Sequence, residues 1–386
     1  MTQLLIQTKN KIKQIALLED GKLVEYYEEN DESSKKEGNI YIGIVKDIIK
    51  GMQSAFVDIG TEKNSFIHLK DLLPKIDETK EKADETIDIS NIIKPNQKVL
   101  VQVKKDSNEK KGARVSTHIN LPSKYVVLMP NTNIITVSQK IEDEKEQKRL
   151  LKLVKENITE GNGAIIRTSA LGKEKEIIED IKNIEEKWNR IININVSPQS
   201  NKPKLLYKSE NIVEKMLLDL VEKKIDKVIV DSSKEAQQLK LIDKSLEIEV
   251  GTNIFERYET EKQIQKLQNR KVWLKCGGFI TIDKTEALTA IDVNTGKYTG
   301  SEYLQKTIYK VNKEATVEIA KQLKLRDIGG IVIIDYIDMK DNEHKQEIEK
   351  LLKEELKKDR SKTQVEGFTK LDLMELTRKH ICSHND

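Results

Sequence analysis

An α+β architecture of several domains is expected from three features of the 386-residue sequence. At roughly 150 residues per domain, the length is enough for two or three domains. Residues 38–118 contain four or five short apolar runs with glycines at the turns, the pattern of a small OB-type barrel. Residues 277–335 read as strand, strand, long helix, strand, which is a sheet with a helix packed on it.

The elements follow in chain order. Leu4-Leu5-Ile6, the run Ile12 to Leu18, and Leu23-Val24 behind Asp20-Gly21 give a strand–turn–strand start. A polar stretch from Glu28 to Glu37 reads as a linker. The barrel strands are expected at Ile40 to Val45, Ala55 to Ile59, Phe66 to Leu69 and Val99 to Val103. A charged insertion, Lys75 to Asp88, is read as a solvated loop or short helix. Lys140 to Ile158 is a charged helix with a thin apolar stripe. Ala164 to Thr168 is a strand, and Ile177, Ile181, Ile184, Trp188 and Ile191 share one helical face. A helix near Asn211 to Val221 leads into the buried strand Lys227 to Asp231. Behind Gly277-Gly278 come strands Phe279 to Asp283 and Leu288 to Val293. A helix with Leu304, Ile308, Val311, Ala315, Ile319 and Leu323 on one face then stops near Gly329-Gly330. The strand Ile331 to Asp335 closes the run.

Composition excludes several classes. The chain carries 68 Lys+Arg against 65 Asp+Glu, so overall basicity says nothing about nucleic acid, and any basic track must be local. Two cysteines exclude a disulfide scaffold and fit a reducing compartment. No apolar run approaches the roughly 20 residues that span a bilayer. The start MTQLLIQTKNK lacks a signal peptide's features, so a cytoplasmic protein is expected.

Candidate chemistry begins with carboxylates at strand ends. Asp292 and, two residues on, Asn294 share one face of an extended segment, and Asp335 ends a separate strand with Asp338 three residues on. Carboxylates so placed suit Mg²⁺, which takes carboxylate oxygens, waters and substrate phosphate. The commoner use of such an Asp is a turn or helix cap. In the barrel, Lys94 to Arg114 holds seven basic residues against Asp106 and Glu109. Phe56, Phe66, His68 and Lys70 lie on adjacent strands beside it. Rings next to a basic rim suit single-stranded nucleic acid, whereas two Phe residues in a small barrel serve equally well as core. Arg167-Thr168 after a strand could clamp a phosphate, although such a pair far more often simply sits on the solvated surface. His380, Cys382 and His384 lack the spacing of a zinc site and read as a frayed tail, and Cys276 reads as a buried residue.

Two segments, Gly277 to Gly296 (GGFITIDKTEALTAIDVNTG) and Arg326 to Met339 (RDIGGIVIIDYIDM), resemble the catalytic half of the RNase E/G family of bacterial endoribonucleases. Weaker matches run through Ile40 to Lys70, Tyr125 to Pro130, Ala164 to Gly172 and Phe368 to Lys379, so the resemblance extends over nearly the whole chain in order. It implies an RNase H-like subdomain (1–37 and 205–276) without an active site of its own. Inserted in it would be an S1-type OB-fold barrel (38–118) and a 5′-sensor region (119–204). A DNase I-like α/β catalytic subdomain (277–386) would follow. By the same resemblance Asp292 and Asp335 are the Mg²⁺-binding aspartates, and Asn294 orients the first. Arg167 and Thr168 sense an RNA 5′-monophosphate, with Lys362 where the family often has Arg. Phe56, Phe66 and Lys111 contact RNA. The family's C-P-x-C zinc link is not matched, because the sequence given closes on Ile381-Cys-Ser-His-Asn-Asp386. A zinc-joined assembly is therefore not expected of it, while a homodimer or homotetramer stays open.

The expectation is a Mg²⁺-dependent endoribonuclease that cuts single-stranded, AU-rich RNA to 5′-phosphate and 3′-hydroxyl ends, acting in rRNA processing and mRNA decay. The alternative is a non-catalytic RNA-binding protein of the same descent, associated with ribosome or rRNA assembly. The intact set of Asp292, Asn294 and Asp335 favours the enzyme.

Overall fold

The structure is a computed structural model that describes the chain except residues 31–34, 73–87, 108–110, 195–201, 221–224, 297–303 and 383–386. The charged insertion expected at 75–88 falls outside the described residues except for Asp88, as does His384. The chain forms two compact units, one from Met1–Ser33 with Lys223–Asp386 and one from Ser34–Glu222.

The first unit contains two sheets. One opens with the antiparallel meander Thr2–Lys9, Ile12–Glu19 and Lys22–Asn30. Its tight turns, Asn10-Lys11 and Asp20-Gly21, have positive φ at both central residues, the hairpin turn whose twist matches the strands. Thr2–Lys9 also pairs in parallel with Lys227–Val230, and that strand pairs in parallel with Ile248–Val250. Strands more than 190 residues apart in sequence thus share one sheet, and the second unit is an insertion between them.

The other sheet has the order Lys271–Trp273, Phe279–Lys284, Leu288–Asn294, Gly330–Asp335, Leu373–Arg378, Thr363–Phe368. Its central pair, Leu288–Asn294 and Gly330–Asp335, is parallel, because the 22-residue helix Leu304–Leu325 carries the chain back to the starting edge. Alternation decides the faces. Ile291, Val293, Val332 and Ile334 point into a core with Val311, Ala315, Ile319 and Leu323 of that helix and Leu352 of helix Asn342–Lys357. Asp292 and Asp335 point the other way and are exposed.

The long helix does not stop on a glycine. The left-handed residue is Asp327 (φ 45°), and the Ile328 N–H donates back to the Leu323 carbonyl. Asp tolerates this conformation because its short carboxylate can bond locally. Here the carboxylate accepts from the N–H groups of Ile381 and Cys382 and from the fully buried Arg378. The segment through Cys382 is therefore pinned down, contrary to the frayed tail read from its sequence.

In the second unit, strands Ile40–Ile49, Ser54–Asp58, Ser65–His68, Arg114–Ser116 and Lys98–Lys105 are hydrogen-bonded in that order. Lys98–Lys105 pairs back onto Ile40–Ile49, closing a five-stranded barrel of OB topology. Gly43 sits where a Cβ would lie 2.5 Å from the Val57 side chain, so the two strands pack this closely only with a glycine there. Lys204–Tyr207 adds a sixth strand along Ile40–Ile42. A four-stranded sheet follows, in the order Ile135–Val137, Asn162–Ile166, Val126–Pro130, Leu121–Pro122. Helices Glu144–Asn157 and Glu174–Ile192 pack on it through Leu150, Val154, Ile177, Ile181, Ile184 and Trp188. The first of these helices is capped by Asp143, whose carboxylate accepts from the N–H groups of Lys145 and Glu146.

Candidate functional site

Asp292 and Asp335 are 43 residues apart in sequence and directly opposite each other in the parallel pairing. Register partners share a face, so the two carboxylates stand side by side at about one strand spacing, near 5 Å between backbones. The Asn294 side-chain amide donates to Asp292 Oδ2 at 2.5 Å. Partial desolvation by its surroundings raises the Asp335 carboxyl above the ordinary Asp value, and the charges of Asp292 and Asp338 push it the same way. A cation beside Asp335 would offset the negative charge that Asp292 and Asp338 place around it.

No group of three or more His, Cys, Asp or Glu side chains converges as a ready-made metal cage among the described residues. Two adjacent carboxylates nevertheless fit Mg²⁺, which binds through one or two carboxylates and keeps its remaining positions for waters and phosphate.

Arg167 and Thr168 follow strand Asn162–Ile166 in the second unit. The Arg167 guanidinium donates through one terminal nitrogen to the Ser123 carbonyl at 2.9 Å and through the other to Asp219. Its backbone N–H donates to the Tyr125 carbonyl. The loop it leans on is itself fixed. Asp180, buried in helix Glu174–Ile192, accepts from the Ser123 hydroxyl and from the Tyr125 and Val126 N–H groups. Five N–H donors on a guanidinium, two of them used, leave three for a further anion. Thr168 is half-buried and opens a short 3₁₀ turn beside the arginine. Asp180 is a polar residue on an otherwise apolar helical stripe, and sequence reasoning passed over it. That mismatch was the available signal.

On the barrel, Phe56 and Phe66 are register partners with rings 6.4 Å apart, edge to face. Their neighbours Ala55, Val57 and Ile67 fill the barrel core, while both rings face outward and are half-buried. Alternation therefore settles the choice between core and surface. Lys111 is exposed beside Gly112, where a Cβ would lie 1.9 Å from the Asn64 carbonyl oxygen, so only glycine lets the two segments cross. His68 accepts from the Lys70 N–H, and Arg114 pairs with Asp71. Lys362 is exposed and belongs to the other unit, just before strand Thr363–Phe368. Cys276 is half-buried rather than buried, and its thiol is pushed up, chiefly by desolvation.

An OB-type barrel with outward aromatic rings, in one chain with an α/β sheet that aligns two carboxylates, defines a multidomain α/β protein with a candidate polyanion-binding module and a candidate hydrolytic site. A sequence model of the Ribonuclease E/G family matches residues 120–381. Ribonuclease G of Salmonella typhimurium is 38% identical over 390 residues, covering 98% of this chain and 79% of that protein. Ribonuclease G of Haemophilus influenzae is likewise 38% identical, with the same coverage. Ribonuclease E of Nostoc sp. is 35% identical over 89% of this chain and 51% of its own length. The chain belongs to the ribonuclease E/G family, and the expectation of an enzyme, an endoribonuclease, stands with that membership. Among the described residues no helix is long and apolar enough to cross a membrane.

Proposed function

We propose that the chain is a Mg²⁺-dependent endoribonuclease that cuts single-stranded, AU-rich RNA in rRNA processing and mRNA decay in the cytoplasm. The observation that carries this reading is the register pairing of Asp292 with Asp335, with Asn294 bonded to the first.

Water adds to phosphorus and the P–O3′ bond breaks, leaving a 3′-hydroxyl upstream and a 5′-phosphate downstream. A bound Mg²⁺ would supply activation of the water and neutralisation of the phosphate charge. The chain's own residues do the positioning. Asp292 and Asp335 would hold the cation, and the Asn294 amide, bonded to Asp292 Oδ2, would orient that carboxylate toward it. Asp338 adds negative potential at the same place. The Phe56 and Phe66 rings offer faces on which bases stack, while Lys111 and Lys362 meet phosphates. Arg167 and Thr168 take a 5′-monophosphate, with the Ser123 and Asp219 contacts holding the fork open toward it.

In this reading the meander with its parallel strands is an RNase H-like scaffold. Residues 277–386 are a DNase I-like catalytic subdomain, 38–118 an S1 module and 119–204 the 5′ sensor. The working form is a homodimer or homotetramer.

The test is incubation of a 5′-labelled AU-rich oligonucleotide with the protein in Mg²⁺ and in EDTA. Fragments ending in 3′-hydroxyl that vanish in EDTA are expected. Cleavage that persists in EDTA, or a strand shifted but intact in Mg²⁺, would reject the reading.

A further inference from the structure

The carboxylate face of the catalytic sheet continues to the sheet's edge, and what it carries there is aromatic. Trp273 is the register partner of Phe279, and Phe279 is the partner of Asn294. In the neighbouring row, Lys271 pairs with Thr281, Thr281 with Asp292, and Asp292 with Asp335. Partners in register, and residues two apart along a strand, share a face. Lys271, Trp273 and Phe279 therefore stand on the same face as Asp292, Asn294 and Asp335, with Trp273 two strand spacings, about 10 Å, from Asn294.

Burial does not explain this cluster. Trp273 is 59% exposed on an edge strand of three residues. It meets the half-buried Phe279 edge to face, with ring centroids 5.4 Å apart. The Lys271 ammonium lies 4.0 Å from the centre of the Trp273 ring and 3.4 Å from that of Phe279. Gly296 closes the back of the Phe279 ring. Its φ is +60°, and a Cβ there would lie 3.3 Å from the ring and 2.5 Å from the Gly277 carbonyl. An exposed indole, a second ring and a cation on one face are the parts with which single strands are held. Every base has a π-face to stack, and the ammonium meets the backbone phosphate.

We infer that Trp273, with Phe279 and Lys271, is a stacking platform for the nucleotide flanking the scissile phosphate, on the side of the sheet's short edge strand. The inference rests on the reading of Asp292 and Asp335 as the cutting site. The platform is separate from the barrel's Phe56–Phe66 pair. It binds next to the bond that breaks, so it bears on where the strand is cut as well as on affinity.

The experiment uses the whole chain with a short single-stranded RNA of one cleavage site. Trp273→Ala is expected to lower kcat/KM roughly 5- to 150-fold, the range for losing one stacked base. Trp273→Phe should keep most of the activity. A set of substrates, each abasic at one position, then locates the contact. At one position within about two nucleotides of the cut, removing the base should cost the parent enzyme that same factor and cost Trp273→Ala nothing further. Independently, the chain has two tryptophans. In a Trp188→Phe background, Trp273 emission in EDTA should be quenched by the intact strand and not by the strand abasic at that position. Cleavage by Trp273→Ala at the parent rate, or equal abasic penalties in both proteins at every position, would overturn the platform. Asp335→Asn separates this from failure of the underlying reading. If that variant cuts normally, the cutting site is misplaced. If it is dead while Trp273→Ala is unimpaired, only the platform is lost.

Discussion

The two sheets of the first unit treat their strand-end carboxylates differently. In the N-terminal sheet, Asp231 follows strand Lys227–Val230 and accepts from the Thr8 N–H at 2.5 Å, while Asp226 accepts from the Thr2 N–H at 2.7 Å. Glu25 is buried in the same sheet and bonded to Tyr27, Arg360 and Lys324. Each of these carboxylates is occupied in holding the fold. In the six-stranded sheet no backbone N–H among the described residues donates to the side chains of Asp292 or Asp335, and the Asn294 amide bonds Asp292. An Asp at a strand end caps where an amide faces it. Opposite another Asp it remains an available ligand, and the neighbouring charge raises the pKa of Asp335. Register makes the difference, not residue type.

The comparison breaks most readily at the acidic pair. Asp292→Asn and Asp335→Asn are each expected to lower kcat/KM on the order of 10³-fold or more, because under the proposed function each removes a ligand of the ion that would offset several kcal/mol of transition-state charge. RNA retention on a native gel should be nearly unchanged. Asn294→Ala should cost less, about 10- to 100-fold, since it only orients its neighbour. The same assay with substrates bearing 5′-monophosphate or 5′-hydroxyl should show Arg167→Ala losing the preference for monophosphate, and retention of that preference would reject the sensor role.

The structural carboxylates should move stability instead. Burial pushes Glu25 up, but Arg360 and Lys324 outweigh it, so its folded-state pKa lies below the usual Glu value. A depressed carboxylate contributes stability fully above about pH 4.3, and that contribution is lost as pH falls through the lower folded value. Glu25→Gln should therefore cost about 3–5 kcal/mol at neutral pH, since two cations lose their buried partner. It should also flatten the acid limb of the Tm profile below pH 4. Asp231→Ala, at an exposed bond, should cost about 1 kcal/mol and leave cleavage intact.

Much of this was legible in sequence where local pattern decides. The run LTAIDVN alternates, so Asp292 had to face away from Ile291 and Val293. Apolar runs with glycines between them marked the barrel. The positions of Phe56 and Phe66 could not be read, because Phe serves as core or platform, and only the direction of Ala55 and Val57 into the barrel decides. The alignment of Asp292 with Asp335 was equally hidden, since a parallel register is set across a helix rather than by a turn. Lys271–Trp273 was missed as a strand because three residues carry no period, and the aromatic edge went unseen with it. The Glu25–Arg360 pair spans 335 residues and leaves no local trace.

The most direct measurement is Mg²⁺-dependent cleavage of one 5′-labelled single-stranded RNA by the parent, Asp335→Asn and Asp231→Ala proteins side by side, each checked for native Tm. Cleavage lost in Asp335→Asn and kept in Asp231→Ala is expected, with EDTA reproducing the first variant. Parent-like cleavage by Asp335→Asn, or equal loss in both variants, would contradict the assignment of the paired carboxylates as the cutting site.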